Sequence, residues 1–337
     1  MQAVLVAGGL GTRLRPLTLT RPKALVPLLN KPLILHVLER LPAEVDEVIV
    51  AANYRTEMIS DLFRREDVGR RVMVVRERRP LGTGGCLKNL EDRLSDAFLA
   101  FNADIVSSLA AADLAAAHKR NGGLGTIALW QVDDPSPYGV VALNGDRITK
   151  FVEKPAASEA PSRWVNAGAY AFEPELLAAI PRNRAVSLER EVFPNVVRKG
   201  LYGFRFPGYW FDVGRLETYL RATEVLLRAG GSDVSRNARL GPHAKLADPV
   251  AVAAGANVEG EVGPVAVVGR DCIIGKARLS HCALLDGVTV RNGATIRGSL
   301  VGEGCHVGPR AVVQDSILGD GATIRANAHV VGERVKR

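Results

Sequence analysis

The chain has 337 residues, 44 Lys and Arg against 36 Asp and Glu, a formal net charge of +8, and 47% hydrophobic residues. That length allows two domains, each able to bury its own core without disulfide staples. No apolar run approaches the roughly 20 residues that cross a bilayer, and no aromatic-interleaved basic stripe marks a nucleic-acid surface. The positive charge is therefore assigned to small anionic substrates, with neither membrane nor nucleic acid as partner. The N-terminus runs into a strand without a signal-peptide pattern, and Cys86, Cys272, Cys282 and Cys305 lack metal-ligand spacing. A cytoplasmic protein with reduced thiols is expected.

In chain order, Ala3 to Ala7 reads as a buried strand, and its end carries Gly8-Gly9-Leu10-Gly11-Thr12-Arg13-Leu14-Arg15-Pro16-Leu17-Thr18. Glycines at a strand tip let backbone N–H groups approach phosphate oxygens. Arg13 adds a guanidinium fork, and Lys23, in Arg21-Pro22-Lys23, adds a point charge. The loop is not a Walker A loop, which ends Gly-Lys-Ser/Thr, nor a dinucleotide fingerprint, because Leu14 stands where the third glycine belongs.

Strand-like runs at Val48–Ala52, Arg71–Val75, Phe98–Phe101 and Gly125–Trp130 alternate with helical stretches at Pro32–Leu41, Glu57–Arg65 and Leu109–Arg120. The alternation predicts an α/β domain, a mostly parallel Rossmann-like sheet with helices on both faces and ligands at the carboxyl ends of its strands. Asp104 closes one such run, and Pro80 to Gly85 forms a second glycine-rich loop.

Past Gly230-Gly231-Ser232 the pattern changes. Strings beginning at Cys282, Ser299 and Ser316 repeat every 17 residues, and aliphatic residues recur every five or six positions from Val262 to Val330. Neither a helix nor an alternating strand gives that spacing; a parallel β-helix of hexapeptide repeats does. The expected domains are 1–230, catalytic, and 236–332, a left-handed parallel β-helix.

The first loop resembles the signature of the sugar-nucleotidyltransferases, G-G-x-G-T-R-L-x-P-L-T followed by P-K-x-L-x-P. Further strings agree: Asn102-Ala103-Asp104 with N-G-D, Tyr138-Gly139-Val140-Val141 with Y-G-V-V, Glu153-Lys154-Pro155 with E-K-P, Asn166-Ala167-Gly168 with N-A-G, and Trp210-Phe211-Asp212-Val213-Gly214 with W-x-D-x-G. The resemblance implies condensation of a nucleoside triphosphate with a sugar 1-phosphate, releasing pyrophosphate, on Mg2+ held by Asp104 and Asp212. It implies nucleotide contacts from Ala7, Gly8, Gly9, Gly11, Thr12, Arg13, Lys23, Pro80, Gly82, Thr83, Asn102 and Asp104. Sugar-phosphate contacts fall to Gly139, Glu153, Lys154, Asn166 and Asp212, with Arg13, Lys23 and Lys154 as the catalytic cations.

Pro80-Leu81-Gly82-Thr83-Gly84-Gly85 and Ser187-Leu188-Glu189-Arg190-Glu191-Val192-Phe193-Pro194 are similar to strings of the guanylyltransferases acting on mannose 1-phosphate, which favours GTP and GDP-mannose. The runner-up is a thymidylyl- or uridylyltransferase acting on glucose 1-phosphate. A bifunctional enzyme whose β-helix is an acyltransferase using His281, His306 or His329, and a silent regulatory subunit, are the remaining alternatives. The β-helix is expected to drive homo-oligomerisation. Every proposed site residue precedes Gly230, so a chain cut there is expected to keep its chemistry and lose its assembly.

Overall fold

The apolar runs of the first half form the strands of one sheet: β1 (Gln2–Val6), β2 (Glu47–Ala52), β3 (Arg71–Arg76), β4 (Phe98–Asn102), β5 (Gly125–Gln131), β6 (Gly139–Asn144), β7 (Arg147–Glu153), β8 (Trp164–Phe172) and β9 (Leu201–Arg205). The computed structural model describes residues 1–337. The nine strands lie in the order β3-β2-β1-β4-β8-β5-β9-β7-β6. β3, β2, β1 and β4 pair in parallel, which suits strands as apolar as Ala3-Val4-Leu5, all fully buried. β8 enters antiparallel to both β4 and β5, and β7 is antiparallel to β9 and β6. The sheet is thus mixed: seven strands run one way, and β7 and β8 run against them. The expectation of a mostly parallel sheet describes its strand directions better than its pairings, since the return strands β7 and β8 are interleaved between the others. Under the sheet, Tyr170 stacks on Phe172 at 5.0 Å, and Phe98 meets Phe172 edge-on at 6.0 Å.

Residues Met1–Gly9 and Ile34–Trp210 make this unit, and Leu10–Leu33 with Phe211–Arg337 make a second. The division differs from the expected break near residue 230 in two places. Leu10–Leu33 belongs with the β-helix because its side chains bond there: Arg21 to Glu303 and Asp320, and Asn30 to the Val268 carbonyl. The helix Leu216–Gly230 joins the same unit, where the Tyr219 hydroxyl donates to the Pro27 carbonyl at 2.6 Å.

From Asp233 onward, short strands stack into three parallel sheets of seven, six and six strands, a parallel β-helix. Equivalent positions lie 16 residues apart in Val250, Ala266 and Cys282 and 17 apart in Ala283, Leu300 and Ile317. The aliphatic series from Val262 to Val330 points inward throughout. At the corners, Asp286, Asn292 and Asp320 each accept the amide of a residue one coil earlier, at 2.8–2.9 Å. The four cysteines are buried thiols, and burial pushes Cys272 and Cys282 up to about 12 and Cys305 to about 11. No helix of the chain is long and apolar enough to cross a membrane.

Candidate functional site

In the first unit, the carboxyl ends of β1 and β4 carry the expected residues. Ala7 is nearly buried and donates its amide to Ala51, which anchors the turn into Gly8 and Gly9. A β-carbon on Gly8 would lie 3.3 Å from the Asn53 amide and 3.7 Å from the Glu77 carboxylate, whereas one on Gly9 would meet nothing within 4 Å. Gly8 is therefore a close-packed glycine and Gly9 an open one. Asn102 ends β4 and half-buried Asp104 follows it, and the intervening Ala103 donates its amide to the Val6 carbonyl at 3.0 Å. Gly168, at φ 69°, presses on the Asn102 amide so closely that a β-carbon there would sit 2.6 Å away.

Glu77 was not anticipated from the sequence. It follows β3, is 4% exposed, and accepts the Leu81 amide at 3.2 Å as well as the Asn53 side chain. Burial raises its pKa, and those two donors oppose the rise. A buried carboxylate thus lies beside Gly8 and the Pro80 loop, both expected to contact the nucleotide.

The glycines of the Pro80–Gly85 loop are packed against other backbone rather than left open. Gly82 has φ 72°, and a β-carbon there would lie 2.6 Å from the Val186 carbonyl. That carbonyl already accepts the amides of Gly84 and Gly85. These glycines therefore serve close packing on residues 184–186. The Thr83 hydroxyl donates to Glu189 at 2.7 Å and accepts the Leu188 amide at 2.9 Å, so it ties two segments together. Pro80 is exposed at the head of the loop.

The expected sugar-phosphate residues gather on β6, β7 and β8. Gly139 and Glu153 face each other across the β6–β7 ladder, and a β-carbon on Gly139 would meet the Glu153 carboxylate at 3.0 Å. Lys154 takes a left-handed φ of 51°, donates its amide to the Tyr138 carbonyl, and places Nζ 3.6 Å from Glu153 while remaining exposed. Burial raises the Glu153 carboxyl, the Glu189 charge raises it further, and Lys154 pulls it back. Asn166 orients through Tyr170, donating to its hydroxyl at 2.9 Å while accepting the Gly168 amide at 2.9 Å. Glu189 and Tyr170 thus belong to this cluster, though the sequence marked neither as a site residue. Only the S-L-E-R-E string around Glu189 hinted at it.

In the second unit, Gly11 is required at φ 59°, because a β-carbon would meet Thr18 at 2.8 Å and Lys23 at 2.9 Å. Thr12 opens the short turn Thr12–Leu14 and is itself exposed. Lys23 is 5% exposed, with Nζ 3.3 Å from one oxygen of Asp212, and Arg13 reaches the other oxygen at 3.4 Å. Asp212 therefore lies between the two cations that the sequence assigned to polyphosphate.

The loop bearing those cations is tied to late coils of the β-helix. Arg21, 12% exposed at its side chain, donates to Asp320 at 2.7 Å and Glu303 at 2.8 Å. Burial acts to lower the Arg21 pKa, but the bonds to Asp320 and Glu303 outweigh it and leave it raised. Thr20 also donates to Asp320, and Arg334 donates to the carbonyls of Arg13 and Arg15. The β-helix histidines do not share a site: His281 sits at a corner with φ 47°, while His306 and His329 lie in different sheets.

A family model described as Nucleotidyl transferase matches residues 2–229, and one described as GMPPB C-terminal domain matches residues 225–336. The mannose-1-phosphate guanyltransferase of Emericella nidulans is 37% identical, across 98% of this chain and 94% of its own. Mannose-1-phosphate guanylyltransferase 1 of Arabidopsis thaliana is 36% identical, across 95% and 91%. The mannose-1-phosphate guanylyltransferase catalytic subunit beta of Danio rerio is 34% identical, across 99% and 95%. A UDP-glucose pyrophosphorylase solved with UDP-glucose superposes with a TM-score of 0.60 at 22% identity, over 68% of this chain and 98% of that one, a likeness of fold.

Proposed function

The chain belongs to the nucleotidyl transferase family, and we propose that it condenses GTP with mannose 1-phosphate to give GDP-mannose and pyrophosphate. The observation that carries the choice of base is Glu77. Guanine offers two adjacent donors, N1–H and the N2 amine, and an ionised carboxylate accepts both. Uracil and thymine offer one N–H between two carbonyl oxygens, which a carboxylate repels. A bidentate contact of this kind discriminates by about 1–3 kcal/mol. Burial makes the Glu77 charge costly, and two further donors would offset that cost.

A phosphate oxygen of the sugar 1-phosphate attacks the α-phosphorus of GTP, the bond to the β-phosphate breaks, and pyrophosphate leaves. The attacking phosphate, with a second pKa of about 6, is already largely dianionic and needs no general base. Lys154, exposed and held by its backbone bond to Tyr138, grips that phosphate, while Glu153 and Asn166 accept from and donate to sugar hydroxyls. Arg13 and Lys23 hold the triphosphate and stabilise the departing pyrophosphate. Asp104 and Asp212 suit Mg2+ as hard oxygen donors: Asp104 is half-buried, and the Asp212 carboxylate is 27% exposed with ion-pair contacts no shorter than 3.3 Å. The ion would supply charge neutralisation around the α-phosphate. We read the reaction as cytoplasmic and the β-helix as left-handed and self-associating, with Leu240, Ile273 and Val331 as exposed apolar residues for contact.

The test is kcat/KM for GTP, UTP and dTTP with mannose and glucose 1-phosphates. Wild type is expected to prefer GTP with mannose 1-phosphate. Glu77→Gln is expected to reduce that preference by about 10- to 100-fold. A higher kcat/KM for dTTP with glucose 1-phosphate in the wild type would establish the runner-up instead.

A further inference from the structure

Around the segment from Arg76 to Leu81 lies a cavity of about 580 Å3 that no step of the proposed reaction uses. Just past the end of β3, Glu77 is 4% exposed, whereas its neighbours Arg76 and Arg78 are exposed and line the cavity. Arg79, Lys88, Arg182 and Arg184 complete a wall of six cations, and Asp92 is the one carboxylate in the lining. Several of these charges are answered nearby. Lys88 and Arg182 pair with Glu91, and Arg184 pairs with Glu191 at 2.7 Å. The Arg79 side chain donates only to the Asn183 carbonyl, and no ion pair answers the side chains of Arg76 and Arg78.

We propose that this cavity binds a small molecule carrying two or more phosphate groups, at a site separate from the substrates. Guanidinium groups such as those of Arg76, Arg78 and Arg79, which no carboxylate answers, repel one another, and an anion bridging them removes that repulsion. Guanidinium forks match phosphate oxygens in pairs, which a set of lysines would not. The volume lies in the range that holds a metabolite-sized ligand, about 300–1,000 Å3. The cavity also touches the base-reading segment from behind. Leu81 lines it, and the Leu81 amide is the one that Glu77 accepts at 3.2 Å. Occupancy would therefore be felt at the carboxylate that selects the base, which makes the ligand an effector of nucleotide binding.

The probe is inorganic tripolyphosphate, titrated calorimetrically into the full chain at physiological ionic strength. Arg13→Ala, which removes a cation proposed for the substrate, is expected to retain one saturable binding event. Adding Arg76→Ala and Arg78→Ala to it is expected to weaken that event by about tenfold or more. The corresponding lysine pair is expected to fall between the two. Equal affinity with and without the two arginines, or no saturable binding in Arg13→Ala, would overturn the site. In steady-state assays, wild type should show a partial, saturating change in KM for GTP that the double alanine variant lacks. Identical responses in the two proteins would overturn the effector role. The calorimetry reads an inorganic anion, so its outcome is independent of whether GTP is the substrate.

Discussion

Replacing Asp320 by alanine isolates what the β-helix does for the Leu10–Leu33 loop. Asp320 accepts from Arg21 and Thr20 with one oxygen and from the Glu303 amide, at 2.8 Å, with the other. Its removal leaves the Arg21 guanidinium, whose Nε already has no partner, with Glu303 alone. Breaking a fully buried pair costs about 3–5 kcal/mol. Arg21 is 12% and Asp320 17% exposed, and Glu303 remains, so the lower end, about 3 kcal/mol, applies. If that cost falls on opening of Leu10–Leu33 from the coils, the opening equilibrium rises by about two orders of magnitude. The reporters are the amides of Leu14, Leu19, Leu25 and Val26, each bonded within this loop. Their hydrogen exchange, read by mass spectrometry, should accelerate by about that factor while the β1 amides hold steady. Glu303→Ala, at a side chain 56% exposed, should change the rates by no more than about fivefold. Unchanged exchange in Asp320→Ala would refute the claim that these coils hold the loop.

Asp104→Asn should nearly abolish Mg2+-dependent turnover with Tm and nucleotide retention preserved; a variant keeping most of its activity sinks the metal assignment. Gly168→Ala should cost about 2–4 kcal/mol in chemical denaturation, since a β-carbon would press on Ile105 and Asn102 at 2.4 and 2.6 Å in a left-handed backbone. Glu153 titrates above its ordinary 4.5, so the native state keeps a proton that the unfolded chain has lost. Its contribution to stability therefore falls as pH rises from about 4.5 through the raised value. Glu153→Gln should accordingly gain Tm relative to wild type more at pH 8 than at pH 4, and the opposite trend would contradict the burial argument. A chain ending at Gly230 loses Asp320, Glu303 and Arg334, so the earlier expectation of retained chemistry gives way to one of lost activity. Full pyrophosphate release by a folded fragment would restore it.

What the sequence disclosed follows from how local each signal is. The β-helix was legible because a solenoid writes its contacts at a fixed interval, and every aliphatic position of the series from Val262 to Val330 is no more than 7% exposed. The strands at β1 to β5 were legible from their apolar runs, but β8 was not placed between β4 and β5, because pairing partners leave no mark on composition. Glu77 was hidden in Arg76-Glu77-Arg78-Arg79, four charged residues of which the fold buries one just past the end of β3. Arg21 and Asp320 were hidden by distance, 299 residues apart with no motif joining them. Gly82 and Thr83 were noticed for the right loop, but what constrains them is Val186, Leu188 and Glu189, all remote in sequence.

The tie between Arg21 and the late coils also sets an order of events during synthesis. A ribosome adding about 5–20 residues per second needs roughly 15–60 s to travel between two residues 299 apart. Through that interval the strands around β1 can pair as they emerge, whereas the Arg13–Lys23 loop lacks the carboxylates that hold Arg21. Contacts of such long separation form late, because chain closure must precede them. The nascent protein therefore carries its cationic loop unfastened until the coils bearing Glu303 and Asp320 have wound beneath it, and the fastening of that loop is among the last contacts the chain makes.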